Sequence, residues 1–374
     1  MEAATLDHTE AFEADLQFAL EIATGAPSSH NVQPWSLAQA EADAPGVIAK
    51  LVLALDPERC LRALPQAHEL EMHLSCGAYL EALVTGLVAR GWQAEVSVAD
   101  AAREVLPDPL QPLATVRVTG RVEKAAREEA ERCCGLAMQR KTHRGPYQGG
   151  PIPRGVAEAV SGPRSFAFPA LSQEPPGVAR WQLIESPEAI QKAADFVSRH
   201  ASIEFTHAGN WAETYRCLRF DDSQASGDGM PITSLLGPLP SWQRPLLRAL
   251  LAPAAMRGLG RLGLARSLAG QFGDRVSEAS ALLYGFMPSD GADPGTRLAA
   301  GAQMFAVWLA LTEQGLSLHP ISVVLQHERL RVAFQRELGL PPGRGFFFAR
   351  VGYANDRVEP TPRRCPDVRT LIRI

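Results

Sequence analysis

Apolar positions recur with helical spacing over about 10–24, 66–91 and 123–137, and shorter apolar and β-branched runs at 47–55 and 114–119 read as strands. From about 141 to 178 the pattern gives way to Pro, Gly and Arg, the composition of a linker. The remainder repeats the rhythm loosely. A strand-like run at 181–185 precedes helical patterns over 187–216, and 282–287 has the character of a central strand. A long apolar helix is expected over 294–315, a shorter one near 326–338, and a buried strand at 345–353. Strands mixed with long helices in each half predict an α+β layer structure, not strict βαβ alternation. No residue-level repeat between the halves is visible.

Size and composition narrow the class. A chain of 374 residues makes two or three domains or one large double unit, and 46% hydrophobic with 21% charged residues is ample for a core. The net charge of −4 offers no polyanion-binding surface, which argues against nucleic acid as a partner. The start of the chain lacks the basic-then-apolar order of an export signal, and no apolar run reaches the ~18–20 residues that span a bilayer. No membrane association is expected, and scattered cysteines without a Cys-x-x-Cys fit a cytoplasmic, reduced protein. His68 and His73 are five apart, off a common helical face, so no metal site is expected. Gly258-Leu259-Gly260-Arg261-Leu262-Gly263 spells Gly-x-Gly-x-x-Gly, but it follows a helical segment instead of a strand. No acidic residue stands at the ribose-binding distance, so no dinucleotide fold is read there. Gly-x-Ser-x-Gly and Walker spellings are absent, leaving hydrolase and phosphoryl-transfer readings without support.

The most informative stretch is Ala26-Pro27-Ser28-Ser29-His30-Asn31-Val32-Gln33-Pro34-Trp35, directly after the first helix. Two prolines stiffen the path, small residues expose backbone N–H groups, and Asn31 and Gln33 bring amide donors and acceptors. An ordinary helix exit and a rigid loop gripping a flat, polar-edged ligand both satisfy those residue types. The run resembles the flavin loop of nitroreductase-like FMN-binding oxidoreductases. Arg59-Cys60-Leu61-Arg62-Ala63-Leu64-Pro65 and His73-Leu74-Ser75-Cys76-Gly77-Ala78 resemble the long, single-chain Acg-type branch, in which two such halves are fused. The resemblance spans roughly residues 10–374. It implies antiparallel-rich central sheets flanked by helices, with an N-terminal half over 1–165 and a C-terminal half over 166–374.

It also implies site residues. Pro27, Ser28, Ser29, Asn31 and Gln33 would line the FMN. Arg140-Lys141-Thr142-His143-Arg144 resembles the family's Arg-x-Ser-x-Lys/Arg motif, with Arg140 and Thr142 toward the phosphate or ribityl chain and Arg144 toward the pyrimidine edge. In simple family members that motif precedes the Pro-Ser-Ser loop; here it follows by over a hundred residues. Ser322 and Val323 would present backbone N–H groups to flavin N5, and Arg363 or Arg364 in Pro360-Thr361-Pro362-Arg363-Arg364-Cys365-Pro366 would close on the phosphate. Gly227-Asp228-Gly229-Met230-Pro231 resembles a turn near the active site of the same branch.

Residues 240–272 alternate leucines with Arg244, Arg248, Arg257, Arg261 and Arg266. They read as an amphipathic helix pair on the surface, with a lid over the flavin as the functional alternative. The implied activity is FMN-dependent hydride transfer at N5 on a small organic molecule or specialised metabolite, with NAD(P)H as a candidate reductant. FMN sequestration with little turnover is the competing implication. His30 and Tyr147 are candidate proton donors. One polypeptide would act as a pseudo-dimeric monomer or as a homodimer.

Overall fold

The computed structural model describes residues 2–162, 165–169, 178–221, 227–288, 293–355, 361–364 and 367–374, the side chains of residues 2–10 excepted. Pro360, Cys365 and Pro366 of the tail motif, and 163–164 and 170–177 of the expected linker, lie outside those residues.

Helix α1 (Glu2–Thr24) leads into strands β1 (Trp35–Ala40) and β2 (Ala49–Leu55), then helix α2 (Pro65–Ala89). β3 (Trp92–Ser97), β4 (Gln111–Arg121) and α3 (Lys124–Gln139) complete the first unit. β5 (Tyr147–Gln148) and β6 (Arg180–Ile184) precede α4 (Pro187–His200), and short strands β7 (Leu218–Arg219) and β8 (Met230–Pro231) follow. The second unit closes with β9 (Ala281–Met287), α5 (Pro294–Glu313), β10 (Ser317–Pro320), β11 (Arg344–Ala354) and β12 (Ile372–Arg373).

Two five-stranded arrangements result. The first sheet runs β12-β1-β2-β4-β3, antiparallel except for the parallel β12–β1 edge. The second runs β10-β11-β9-β6, all antiparallel, with β5 also pairing β11. Strand for strand, β1-β2-β4-β3 matches β6-β9-β11-β10, and in both units the long helix joins the second strand to the edge strand. The fold is the expected mixed α+β structure of two fused half-units. The halves also exchange edges, because β12 joins the first sheet while Thr142 bridges Leu318 on β10 of the second. These pairings cross the expected boundary at 165/166.

At the centre, α2 packs on α5. Both are apolar on nearly every face, as helices buried all round must be. By length and composition α2 could cross a membrane; here its most apolar stretch is buried in the protein. Glycine sets the crossing. A Cβ on Gly77 would lie 2.0 Å from the carbonyl oxygen of Leu298, and one on Gly301 would lie 2.2 Å from that of Leu74. The contact is reciprocal, and one sequence offset relates Leu74 to Leu298, Gly77 to Gly301, and the positive-φ glycines after each helix, Gly91 and Gly315. A residue-level repeat therefore exists between the two helices, and it includes the glycines that the crossing and the helix exits require.

Candidate functional site

Among the described residues, the non-glycine positions with left-handed backbone all fall in one loop: His30 (φ 48°), Asn31 (φ 56°) and Gln33 (φ 50°). Each such residue costs on the order of 1–3 kcal/mol and persists only where its surroundings over-determine it. Those surroundings are visible. The Ser28 hydroxyl accepts from Gln33 N–H at 3.0 Å, and the Ser29 hydroxyl donates to Glu71 Oε2 at 2.6 Å. Asn31 Nδ2 donates to the carbonyls of Gly229 (2.9 Å) and Pro362 (2.8 Å), while its Oδ1 accepts from Arg363. Gln33 Nε2 donates to Gly227 O at 2.8 Å, and its Oε1 accepts from Arg364 N–H at 3.2 Å.

The loop is thus the knot where the 227–230 turn and the C-terminal tail meet the first half. The sequence expectation had Asn31 and Gln33 facing a ligand, but both side chains are buried and spent on the protein itself. Their role is to fix the loop and deliver the tail. Gly227 and Gly229 adopt φ of 76° and 69°, and a Cβ on Gly227 would lie 2.8 Å from Arg363 O, so the turn needs glycine as expected. The two tail arginines divide the work. Arg364 donates to the carbonyls of Gln33 (2.7 Å) and Trp35 (3.3 Å) and is a clamp, whereas Arg363 enters the site. Asn31→Ala removes two donors and an acceptor at this knot. It is expected to cost about 1–3 kcal/mol, read as a lower urea midpoint of the protein without added ligand. An unchanged midpoint would show that turn and tail are held elsewhere.

Arg140 and Arg144 meet Arg363 there. Arg140 is buried, donates once to Gly25 O at 3.0 Å and lies over the Trp308 ring at 4.6 Å; its Nε and Nη1 are buried with no partner. Burial, then the charges of Arg363 and Arg144, push its pKa down to about 9. Burial alone pushes Arg144 down to about 10, and burial followed by the Arg144 charge does the same to Arg363. Among the described residues none of the three has a carboxylate partner. Arg140, Arg144 and Arg363 thus lie together with no carboxylate partner among the described residues, a setting whose charge suits an anion.

The backbone places these groups by pairing. His143 N–H donates to Leu318 O at 3.0 Å beside the Thr142–Leu318 bridge, so the Arg140–Arg144 segment runs along β10. Thr142 sits half-buried between the two arginines. The far end of β10 leads to Ser322 and Val323, which open the short helix Val323–Gln326. N–H groups in a first helical turn have no acceptor within the helix. Gln326 Nε2 donates to Glu71 Oε1 at 2.8 Å, so one carboxylate ties that helix to Ser29 and hence to the loop. Pro27 is buried at the start of the loop.

Two supporting residues escaped the sequence reading. Arg350, on a strand spelled Phe-Phe-Phe-Ala-Arg-Val, is fully buried. It donates to Gly145 O (2.5 Å), Arg275 O (2.9 Å) and His319 Nδ1 (3.0 Å), bracing the turn that follows Arg144. A cation inside an otherwise apolar strand was the available signal. Glu71 was legible too, since His68, Glu71 and Ser75 share one face of an apolar helix. Tyr147, the other candidate donor, is buried with its hydroxyl bonded to the Ser317 carbonyl at 3.1 Å, and burial pushes its pKa up. His30 is half-buried, and burial, His68 and Arg144 push it down to about 4, so it is neutral at pH 7.

The 240–272 segment forms three helices, not two: Gln243–Leu251, Pro253–Leu259 and Leu264–Ser277. The last packs closely on α4, where a Cβ on Gly273 would lie 1.8 Å from Ser198 Oγ and 2.7 Å from Ala194 O. The first is held by Trp211 Nε1 donating to Leu251 O (2.8 Å) and Tyr215 OH donating to Arg248 O (2.9 Å). Trp242, Leu246 and Leu262 remain exposed.

No family model matches the chain. It is 31% identical over 359 residues, covering 95% of its own length and 92% of the relative, to a probable NAD(P)H nitroreductase, PigM, of Serratia sp.. It is 27% identical over 360 residues to a putative NAD(P)H nitroreductase of Mycobacterium tuberculosis, covering 92% of this chain and 88% of the relative. Among solved structures it aligns with the FMN-dependent nitroreductase NfnB from Mycobacterium smegmatis, in complex with NADPH. That match has 15% identity and a TM-score of 0.37, over 61% of this chain and 89% of that one.

Proposed function

The chain belongs to the nitroreductase-like family, and on that premise we propose that it is an FMN-dependent oxidoreductase acting on a small organic molecule. The observation that carries this reading is the cluster of buried Arg140 with half-buried Arg144 and Arg363, without a carboxylate partner among the described residues and with two nitrogens of Arg140 unpaired. A phosphate dianion suits such a cluster, since guanidinium forks match its oxygens and its charge relieves their repulsion.

The residues fit the rest of the cofactor. Arg140 and Arg363 would hold the phosphate, with the Thr142 hydroxyl between phosphate and ribityl chain. Arg144 would stand at the pyrimidine edge, where a cation stabilises negative charge on the reduced ring. The strained 28–33 backbone would form one wall, and the N–H groups of Ser322 and Val323 would face N5. Bound FMN would supply the redox centre, accepting hydride from a reductant and returning it to a substrate. The loop, the arginine segment and the tail all come from one polypeptide, so a complete site needs no second subunit. NAD(P)H is the reductant that the relatives' names suggest for this protein.

The test is a visible spectrum of the purified protein, followed by anaerobic addition of NADPH. A flavin band that bleaches within seconds is expected. A colourless protein that takes up no FMN would contradict the proposal, and bound flavin that no reductant or substrate bleaches would favour sequestration.

A further inference from the structure

The helix Gln243–Leu251 carries apolar side chains on two opposite faces and has no fully buried residue. Its inner face, with Leu247 and Leu251, packs on the core, and the hydrogen bonds from Trp211 and Tyr215 hold it there. On the outer face Trp242, Pro245, Leu246 and Ala249 follow one another at i, i+3, i+4 and i+7, and all four are exposed. Trp242 precedes the first turn with helical angles (φ −68°, ψ −21°), so it extends the same stripe. A surface helix needs one apolar stripe to join its own fold, and here a second is left in water. Of the eight large hydrophobic residues exposed among the described residues, Leu236, Trp242, Leu246 and Leu262 fall between positions 236 and 262. Trp242 is 69%, Leu246 61% and Leu262 84% exposed, so these side chains stand out from the surface instead of lining a groove.

Charge singles out the same stretch. Residues 229–273 hold Arg244, Arg248, Arg257, Arg261 and Arg266 with no Asp, Glu or Lys, so the rest of the chain is more acidic than its net charge of −4. Arg248, Arg257, Arg261 and Arg266 are exposed and make no ion pair among the described residues. Exposed arginines elsewhere, such as Arg127, Arg132, Arg199 and Arg369, each hold a carboxylate. Ala252 closes the helix Gln243–Leu251 and opens the next, Pro253–Leu259. Arg257 and Arg261 therefore lie within ~15–20 Å of the end of the apolar stripe.

We propose that the outer face of the helix Gln243–Leu251 docks on an anionic lipid surface, with Trp242 and Leu246 entering the interface and the exposed arginines among the headgroups. The proposal is independent of the flavin reading. Protruding Trp and Leu side chains need a matching pocket on a protein partner but none in a fluid interface, and tryptophan is enriched at that depth. A second copy meeting the same face by two-fold symmetry would set five arginines against five. The uneven charge also orients the molecule, since an anionic surface attracts this stretch and repels the acidic remainder. The sequence expectation of no membrane association rests on the lack of a spanning run, which a helix lying in the interface does not need.

The test is sedimentation of the full chain with vesicles of phosphatidylcholine alone and of phosphatidylcholine with phosphatidylglycerol, at low and at high salt. Binding to the anionic vesicles at low salt is expected, weakened about tenfold or more by high salt and on neutral vesicles. Brominated phosphatidylglycerol is expected to quench Trp242, the exposed one among the tryptophans. Trp242→Ser with Leu246→Ser, and separately Arg261→Gln with Arg266→Gln, should each weaken binding about tenfold or more and leave the thermal midpoint unchanged. No binding to anionic vesicles, a Trp242 left unquenched, or binding that survives both pairs of substitutions would overturn the proposal. Capture by immobilised polyglutamate in place of vesicles would overturn it in favour of an acidic protein partner. A dimer that Trp242→Ser with Leu246→Ser converts to monomer would overturn it in favour of a second copy.

Discussion

Arg140→Met is expected to weaken FMN binding by one to two decades while leaving the ligand-free protein as stable as the parent, or more so. The two halves of that result have one cause. In the ligand-free protein Arg140 makes one hydrogen bond to Gly25 O and a contact over Trp308, against burial and two neighbouring guanidiniums. Replacing a poorly compensated buried charge by an apolar side chain of similar length is often neutral or stabilising. In the bound state the same guanidinium would supply charge-assisted bonds to phosphate, whose loss costs ~1.5–3 kcal/mol. Thermal unfolding with and without FMN would show the stabilisation by ligand shrinking. Arg257→Ala, exposed on the helix Pro253–Leu259, should change neither quantity. A variant that loses stability and FMN affinity in parallel would make Arg140 a structural residue instead.

Gly77→Ala and Gly301→Ala are expected to destabilise the protein by about 1–3 kcal/mol each, or more, the range for overpacking a tight interior. In each case the added methyl meets a backbone carbonyl on the facing helix, which cannot rotate away as a side chain would. The double variant should cost less than the sum, because one widening of the α2–α5 crossing accommodates both methyls. Denaturant unfolding of the four proteins measures the coupling. Strict additivity would mean that the two contacts are relieved separately.

The sequence conveyed the fold and the site to different depths. Strands at 282–287 and 345–353 and the helix at 294–315 were legible because length and apolar runs alone define buried elements. The duplication was not, because the two long helices share only scattered identities, among them Leu-x-x-Gly at the crossing and a glycine at each helix exit. The segments of the site were identified by their resemblance to the family, but not the division of labour within them. Asn31 and Gln33 are polar residues in a ligand-binding motif, yet their amides bind carbonyls of residues 227, 229 and 362, and no local pattern announces partners that remote. The tail spacing could not choose between Arg363 and Arg364, and it does not announce that the carbonyls of Gln33 and Trp35 hold Arg364 while Arg363 bonds Asn31. The 240–272 stretch was read as amphipathic from its Leu/Arg alternation, which does not announce how closely Gly273 packs against Ser198.

The central claim is that the cluster of Arg140, Arg144 and Arg363 exists to hold the phosphate of a flavin. Calorimetric titration of the flavin-free protein with FMN, and separately with riboflavin, which has the same ring and ribityl chain but no phosphate, tests it most directly. One FMN per chain is expected, with riboflavin bound at least about 100-fold more weakly, since more than one charge-assisted contact is lost. Equal affinity for the two would contradict the account.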